Sequence, residues 1–343
     1  MNGEGAVSGK VAVFCFSSAG ELDVVLPLLT VNRIHDFAVV AFRQEILDKL
    51  ERDSFYGTLL EGRLFRRASG AASNKLLRWL RFTGTSLRTF WRFRSTDCYC
   101  FEYGNAGREK NVLLTLLALT GRAAKVRFYP HGHAVTAAEA YAPAKWPRTT
   151  AMCLRRGAKI LKLGEGSSEG PILAVGYPIL HPAWRTLIAK QVPQLYHDHV
   201  VILSRDVHRD YLSPENRLAM LNDVVAVFSR CFPSSRIVLR AHPREVFDGS
   251  RVEIGGREIE ISYENTYSVV RGANLAVSFW TSAFFQCMAL DVPAVEYHLP
   301  HARFKELYPR GSLNAEFVPR FESPEALLAY ASALSTRAAE PAR

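Results

Sequence analysis

The chain has 343 residues, of which 48% are apolar and 22% charged, so it can bury a core in two ordinary domains and is neither fibrous nor disordered. Its 43 lysines and arginines exceed its 33 acidic residues, which gives a net charge of +10. No apolar run reaches the roughly 18 residues that span a bilayer, and no charged-then-apolar leader stands at the N-terminus. We therefore exclude a membrane transporter and expect a cytoplasmic protein.

Short apolar segments alternate with helical patterns in the first half of the chain. Strands are predicted at 11–16, 37–42, 98–101 and 125–129, and helices at 21–30, 44–52 and 111–119. Turns at Gly176 and Pro178 and a stretch rich in Pro and His then predict a hinge.

The same alternation resumes in the second half. Strands are predicted at 199–204, 236–240, 258–262, 274–278 and 293–297, and helices at 214–232, 265–271, 281–290 and 324–334. This pattern indicates an α/β protein with two doubly wound, Rossmann-like domains that face a cleft. We expect an acceptor-binding domain over 1–176, a hinge over 177–198, a nucleotide-donor domain over 199–335 and a tail over 336–343.

The positive charge is concentrated between residues 63 and 94, which hold nine cations, many aromatic residues and no acid. Such a stretch suits an anionic membrane surface or a polyanionic glycan. The plainer alternative is one or two surface helices whose aromatic residues pack on the core. Nucleic acid is the least favoured partner, because no nucleic-acid-binding motif occurs in the chain.

Ligands of doubly wound sheets bind beyond the carboxyl ends of the strands, so residues directly after each strand are the site candidates. In the second domain, Arg240, His242 and Pro243 follow one strand, and Thr281 and Ser282 follow another where a helix begins. Arginine and imidazole donors together with hydroxyls at a helix start suit a phosphate. We therefore predict a nucleotide-phosphate site here, although Thr281 or Ser282 could simply cap the helix.

Three further residues of the second domain lie in the same strand-end positions. Ser204 and Arg205 follow its first predicted strand, and Glu296 lies near the end of its last. We predict that they contact the donor or the acceptor.

In the first domain, the loop after residue 129 holds His131, Gly132 and His133. Histidine titrates near neutral pH and can take a proton from a sugar hydroxyl, which makes His131 a candidate base. Glycine permits close backbone approach to a ligand, so Gly132 and His133 are predicted donor or acceptor contacts.

Two acidic residues follow other strands of the first domain. Asp23 comes after the first strand, in a loop that also holds Ser18 and Gly20, and Glu102 comes after the third. Either carboxylate could act as a base or bind acceptor hydroxyls. Ser18 and Gly20 are predicted donor or acceptor contacts.

Several motifs are absent from the sequence. The loop after the first strand lacks a G-x-G-x-x-G fingerprint, so no dinucleotide cofactor is expected, and no Cys and His pattern has metal-site spacing. We expect an enzyme without cofactor or metal.

The order of these motifs resembles that of GT-B-fold transferases of bacterial surface polysaccharides. The residues concerned are the His-Gly pair at 131–132, Gly176-Tyr-Pro178, His242-Pro243 and the strand–Ser–helix–strand unit from Ala273 to Glu296. The most similar groups are capsular and lipopolysaccharide glycosyltransferases of the sialyl and Kdo type, and CDP-glycerol glycerophosphotransferases.

This resemblance implies roles for individual residues. It implies that His242, Thr281 and Ser282 hold the donor phosphate. It implies a base at His131 by likeness to the glycerophosphate group, or at Glu102 by partial likeness to an acid–acid–Gly motif. The residue at the usual ribose-binding place is Gln286 instead of Glu, a departure that affects the expected nucleotide.

The expected function is transfer of a sugar or glycerophosphate from a CMP-, CDP- or UDP-linked donor to a bacterial surface or capsular glycan. The predicted partners are the activated sugar, a glycan or lipid-linked acceptor and an anionic membrane surface, with no nucleic acid. Peripheral attachment to the inner membrane is therefore expected. Two alternatives remain: a nucleotide-sugar epimerase of the same fold, and a non-catalytic protein that binds polyanions or membranes.

Overall fold

A computed structural model describes a large part of the chain. The described residues are 10–16, 20, 22–66, 75–102, 108–129, 150–153, 172–174, 176–207, 212–242, 245–299 and 317–339. The chain divides into two compact units, Met1–Leu187 and Ile188–Arg343. The division falls inside a helix that lies within the segment 177–198, which the sequence predicted as a hinge.

The first unit contains a parallel sheet of seven strands in the order β3-β2-β1-β4-β5-β6-β7. Its strands are β1 (Val11–Cys15), β2 (Phe37–Ala41), β3 (Leu64–Arg66), β4 (Cys98–Glu102), β5 (Val126–Tyr129), β6 (Thr150–Cys153) and β7 (Ile172–Ala174). Its helices are α1 (Leu22–Val31), α2 (Gln44–Arg52), α3 (Ser54–Leu59), α4 (Lys75–Phe93), α5 (Arg108–Leu119) and α6 (Pro182–Gln191), the last of which reaches into the second unit.

The central strands of this sheet form because both of their faces are covered. All five residues of β1 are buried, which explains why its sequence is a continuous apolar run. One face of the sheet carries an aromatic core that includes Phe14, Tyr99, Phe101 and Phe128, against which α4 and α5 pack. Phe14 and Phe101 stack with ring centroids 4.9 Å apart.

The second unit repeats this plan with seven strands in the order β10-β11-β9-β8-β12-β13-β14. Its strands are β8 (His199–Leu203), β9 (Arg236–Arg240), β10 (Arg251–Ile254), β11 (Arg257–Ser262), β12 (Leu275–Ser278), β13 (Ala294–Tyr297) and β14 (Arg320–Phe321). Its helices are α7 (Pro214–Cys231), α8 (Thr266–Val270), α9 (Phe284–Ala289) and α10 (Pro324–Ala339). The core lies between the sheet and α7 and α10, and it includes Val200, Met220, Phe228 and Leu327.

One strand of the second sheet runs against the others. β10 pairs with β11 in antiparallel fashion, and the two are joined by Gly255 and Gly256. Both glycines have positive φ, at 57° and 72°, which suits a tight hairpin turn. A Gly-Gly pair between two segments of alternating apolar and polar residues is typical of a β-hairpin, and the sequence analysis did not predict this one.

Most predicted elements are present, and the differences have physical causes. The helix expected over 281–290 spans only Phe284–Ala289, because residues 281–283 form a turn closed by side-chain hydrogen bonds. The last helix continues to Ala339, so the predicted tail from residue 336 begins inside it. Strands β3, β7 and β14 have only two or three residues, too few for a pattern to reveal them, and β6 was also not predicted. Among the described helices, none is long and apolar enough to cross a membrane.

Candidate functional site

The carboxyl edge of the second sheet gathers most of the predicted phosphate-binding residues. β8 lies between β9 and β12, so the direction of the chain crossovers reverses at this point. Ser204 and Arg205 leave β8 here, and Trp280 lies just beyond β12. The amide of Phe279 donates to the carbonyl of Leu203 at 3.1 Å, which keeps the two strand ends together. In a doubly wound sheet this switch point is where ligands bind.

A buried carboxylate ties the strand ends together. Glu245 is only 8% exposed. One of its oxygens accepts hydrogen bonds from the Ser204 hydroxyl at 2.8 Å and from the Arg217 guanidinium, and the other accepts from the backbone N–H of His242 at 2.6 Å. The Arg217 guanidinium also donates to the carbonyl of Arg205 at 3.2 Å. Glu245 thereby holds β8, α7 and the loop after β9 in one arrangement.

A second link crosses the switch point directly. The Arg205 guanidinium donates to the carbonyl oxygen of Trp280 and lies 4.6 Å from the centre of its ring. The His298 imidazole stacks near the indole at 5.9 Å, with 13° between the planes. Trp280 has a φ of 51°, which a bulky residue rarely adopts and which costs about 1 kcal/mol or more. Backbone strain of this kind concentrates at ligand sites.

His242 is the second residue after β9 and lies at the same carboxyl edge of the second sheet as Ser204. Its side chain is partly exposed, and its backbone position is set by the bond to Glu245. Arg240 is also partly buried. Its guanidinium donates to the carbonyls of Glu264 at 3.3 Å and Ala241 at 2.7 Å, and these two bonds orient the cation at the strand end.

Thr281 and Ser282 are partly exposed at the end of β12. The Thr281 hydroxyl accepts from the amide of Ala283 at 3.3 Å, while the Ser278 hydroxyl bonds both the amide and the carbonyl of Thr281. α9 begins at Phe284 with no side-chain cap, so Thr281 closes the turn before the helix and is not the cap that the sequence left open as an alternative. Its phosphate-binding role stays a prediction.

Glu296 occupies a different environment from the other predicted residues. It is fully buried in β13, and its carboxylate lies 3.7 Å from the Arg320 guanidinium on β14. The structure thus gives Glu296 an ion-pair partner within the sheet, and its predicted contact with substrate stays a prediction.

In the first unit, the corresponding switch point lies between β1 and β4. Gly20 and Asp23 follow β1, and the Asp23 carboxylate accepts a hydrogen bond from the Tyr56 hydroxyl of α3. Glu102 ends β4 and is buried. Its carbonyl oxygen accepts from the ammonium of Lys110, a buried side chain on α5. Both acids predicted as bases therefore lie at the carboxyl edge of their sheet.

Several predicted site residues lie outside the described part of the chain. They are Ser18, His131, Gly132, His133 and Pro243.

The sequence analysis missed Glu245, Arg217, Trp280 and Lys110. Glu245 stands three residues after His242 and Arg217 lies in the first turn of the helix after β8, so both are at the sheet edge that was searched. Only the structure shows that the Arg217 guanidinium and the Glu245 carboxylate are hydrogen-bonded to each other. Among the residues described, no group of three or more His, Cys, Asp or Glu side chains could hold a metal ion.

Two Rossmann-like domains in one chain define the GT-B class of fold, and solved structures of that class are similar to this protein. One is the glycotransferase of kitacinnamycin, at 15% identity and a TM-score of 0.50, with 96% of this chain and 91% of that chain covered. Another is UDP-GlcNAc 2-epimerase from Neisseria meningitidis bound to UDP-GlcNAc, at 10% identity and a TM-score of 0.51, covering 95% and 94%. A third is Arabidopsis thaliana UGT89C1 complexed with UDP-L-rhamnose, at 9% identity and a TM-score of 0.51, covering 96% and 90%.

Identities this low establish the fold alone. No protein-family profile and no curated protein sequence matches the chain. The predicted GT-B fold class is confirmed.

Proposed function

We propose that this protein is a glycosyltransferase that uses a nucleotide-activated donor. The observation that carries the proposal is the gathering of Arg205, Arg240, His242 and Thr281 at the carboxyl edge of the second sheet. Cationic and hydroxyl donors at a switch point suit the phosphate of a nucleotide. Two of the three similar structures named above are described with a bound UDP-sugar, which agrees with a nucleotide-sugar donor.

The finer identity of the substrates belongs to the same proposal. The donor would be linked to CMP, CDP or UDP and would carry a sugar, such as sialic acid or Kdo, or glycerophosphate. The acceptor would be a bacterial surface or capsular glycan. The sequence resemblance supports this choice, because it rests on the spacing of the His-Gly, Gly-x-Pro and His-Pro motifs. Catalysis would use no cofactor and no metal. The protein would work in the cytoplasm.

The proposed reaction needs a base for the acceptor hydroxyl and a cationic site for the departing phosphate. A base, His131 or one of the acids Glu102 and Asp23, takes the proton of an acceptor hydroxyl. With a sugar donor, the oxygen attacks the sugar carbon, the bond from that carbon to the phosphate oxygen breaks, and the electron pair leaves with the nucleotide. With a glycerophosphate donor, the oxygen attacks the phosphorus of the glycerophosphate, and the bond from that phosphorus to the nucleotide oxygen breaks instead. His242 and its cationic neighbours stabilise the negative charge that develops on the departing phosphate.

The test of this function is His242→Ala. We expect turnover to fall by about a hundredfold, which is typical for the loss of one donor that stabilises a departing anion. The melting temperature should stay close to that of the wild type, because the His242 side chain is partly exposed. Arg230→Gln, at an exposed position on α7, serves as a control. Near-normal turnover of His242→Ala would contradict the phosphate assignment.

A nucleotide-sugar epimerase is the second candidate, because the Neisseria meningitidis epimerase has the same fold. Labelled nucleotide sugars incubated with and without a glycan acceptor separate the two activities. Product that forms only with acceptor supports the transferase, whereas an epimerised sugar nucleotide without acceptor supports the epimerase.

The third candidate is a non-catalytic accessory protein, which predicts no nucleotide affinity. A thermal-shift screen with CMP, CDP, UMP, UDP and GDP tests it. A nucleotide at a hundred times its Kd should stabilise the protein by about 2.7 kcal/mol.

A further inference from the structure

Helix α4 carries an exposed apolar stripe. Leu80 is 51% exposed, Leu87 38% and Trp91 61%. They are spaced by seven and four residues, so an α-helix with 3.6 residues per turn brings all three to one side. An exposed row of large apolar side chains on one helix face is uncommon in a protein surface that contacts only water.

The opposite side of α4 is packed against the protein. Ser86, Thr89, Phe90 and Phe93 are buried, and the two phenylalanines belong to the aromatic core of the first sheet. The helix is therefore fixed by its core-facing side, and the stripe is held outward.

Arginines flank the stripe. Arg88, Arg92 and Arg94 are exposed, and the Arg94 guanidinium lies 4.8 Å from the centre of the Trp91 ring. Arg122, which follows α5, donates to the carbonyl of Arg94 at 2.9 Å and adds a further cation at this end of the helix. Since no acidic residue occurs between positions 63 and 94, nothing within this segment offsets the charge.

We propose that the stripe of Leu80, Leu87 and Trp91 docks on an anionic lipid membrane. The apolar side chains would enter the boundary between headgroups and acyl chains, while the arginines contact lipid phosphates. Tryptophan is favoured at such boundaries because its ring is apolar and its N–H is polar.

Binding of a polyanionic glycan would account for the arginines of this surface but not for its exposed apolar side chains. It would neutralise the arginines but would leave the leucines in water, so the exposed apolar side chains favour a lipid. This inference does not depend on the proposed transferase activity, because membrane binding can be measured without any substrate.

The experiment is sedimentation of the full chain with phosphatidylcholine vesicles and with vesicles of phosphatidylcholine and phosphatidylglycerol. We expect binding to the anionic vesicles that weakens as salt rises and little binding to the neutral ones. Trp91→Ala should lower the partition coefficient about tenfold, and Trp91→Phe should restore most of it. The paired change Arg88→Gln and Arg92→Gln should lower it about thirtyfold, because two phosphate contacts are lost.

Matched controls lie on α7 of the second unit. Leu218 is 57% exposed and Arg230 is also exposed, so Leu218→Ala and Arg230→Gln change the same residue types elsewhere on the surface. Both should leave vesicle binding unchanged, and thermal melts should show that all variants fold.

Three results would overturn the proposal. They are no sedimentation with anionic vesicles, equal effects of the α7 and α4 changes, and binding that Trp91→Ala leaves intact. Competition by a soluble polyanionic glycan such as heparin, without dependence on Trp91, would assign the surface to a glycan instead.

Discussion

Glu245 should stabilise the second unit more than any exposed acid does. Its carboxylate accepts from Ser204, Arg217 and the backbone of His242, and its side chain is only 6% exposed. Glu245→Ala would leave the Arg217 guanidinium, 19% exposed, without this partner. Removing one member of a buried pair costs about 3–5 kcal/mol, and the partial exposure of Arg217 favours the lower end. A loss of about 3 kcal/mol corresponds to a fall of roughly 6–12 °C in melting temperature.

The matched control is Glu258→Ala. Glu258 pairs with Arg251 at 2.6 Å, but the two side chains are 66% and 61% exposed. Exposed pairs contribute about 0–1 kcal/mol, so this variant should melt close to the wild type. Glu245→Gln, which keeps the size of the side chain but loses its charge, should fall between the two. Equal melting temperatures for Glu245→Ala and Glu258→Ala would refute the reasoning.

Two predictions concern titratable groups. His199 is fully buried, its Nε2 donates to the carbonyl of Val269 at 2.8 Å, and burial lowers its pKa below 6.5. The contribution of the neutral imidazole to the free energy of unfolding should therefore be fully present above pH 6.5 and decline as the pH falls towards the lowered pKa. Urea titrations at several pH values measure this decline, which His199→Gln should lack. A wild-type free energy of unfolding that does not change down to pH 5 would contradict the prediction. The hydrogen bond from Cys100 lowers the pKa of Cys98, whereas burial raises that of Cys287. Iodoacetamide near neutral pH should modify Cys98 before Cys287, as read by peptide mass, and the reverse order would contradict this expectation.

The strands and the fold class were readable because their cause is local. Strands of a parallel sheet with helices on both faces must be apolar throughout, and Val11–Cys15 and His199–Leu203 are almost uninterrupted apolar runs. The apolar period of residues 214–232 likewise predicted α7 within one residue. The rule that ligands bind at strand ends then located Ser204, Arg240 and His242 at one sheet edge.

The sequence of α4 did not predict which face of the helix packs against the core. At 3.6 residues per turn, Arg78, Arg81, Arg88 and Arg92 fall on one side of this helix, but apolar residues cover the wide remaining arc, so the periodicity does not say which of the apolar residues are buried. Packing against the first sheet buries Phe90 at 8% exposure and leaves the adjacent Trp91 at 61%.

The sequence by itself determined the alternating elements, the two-domain α/β class and the strand-end loops in which chemistry was expected. Only the tertiary structure decided which residues of those loops meet. Glu245 bonds to side chains 28 and 41 positions away in the chain, and no local pattern encodes such a distance. A carboxylate surrounded by three donors is stable in the interior only after the sheet has brought those donors together, because an unpaired buried charge is costly.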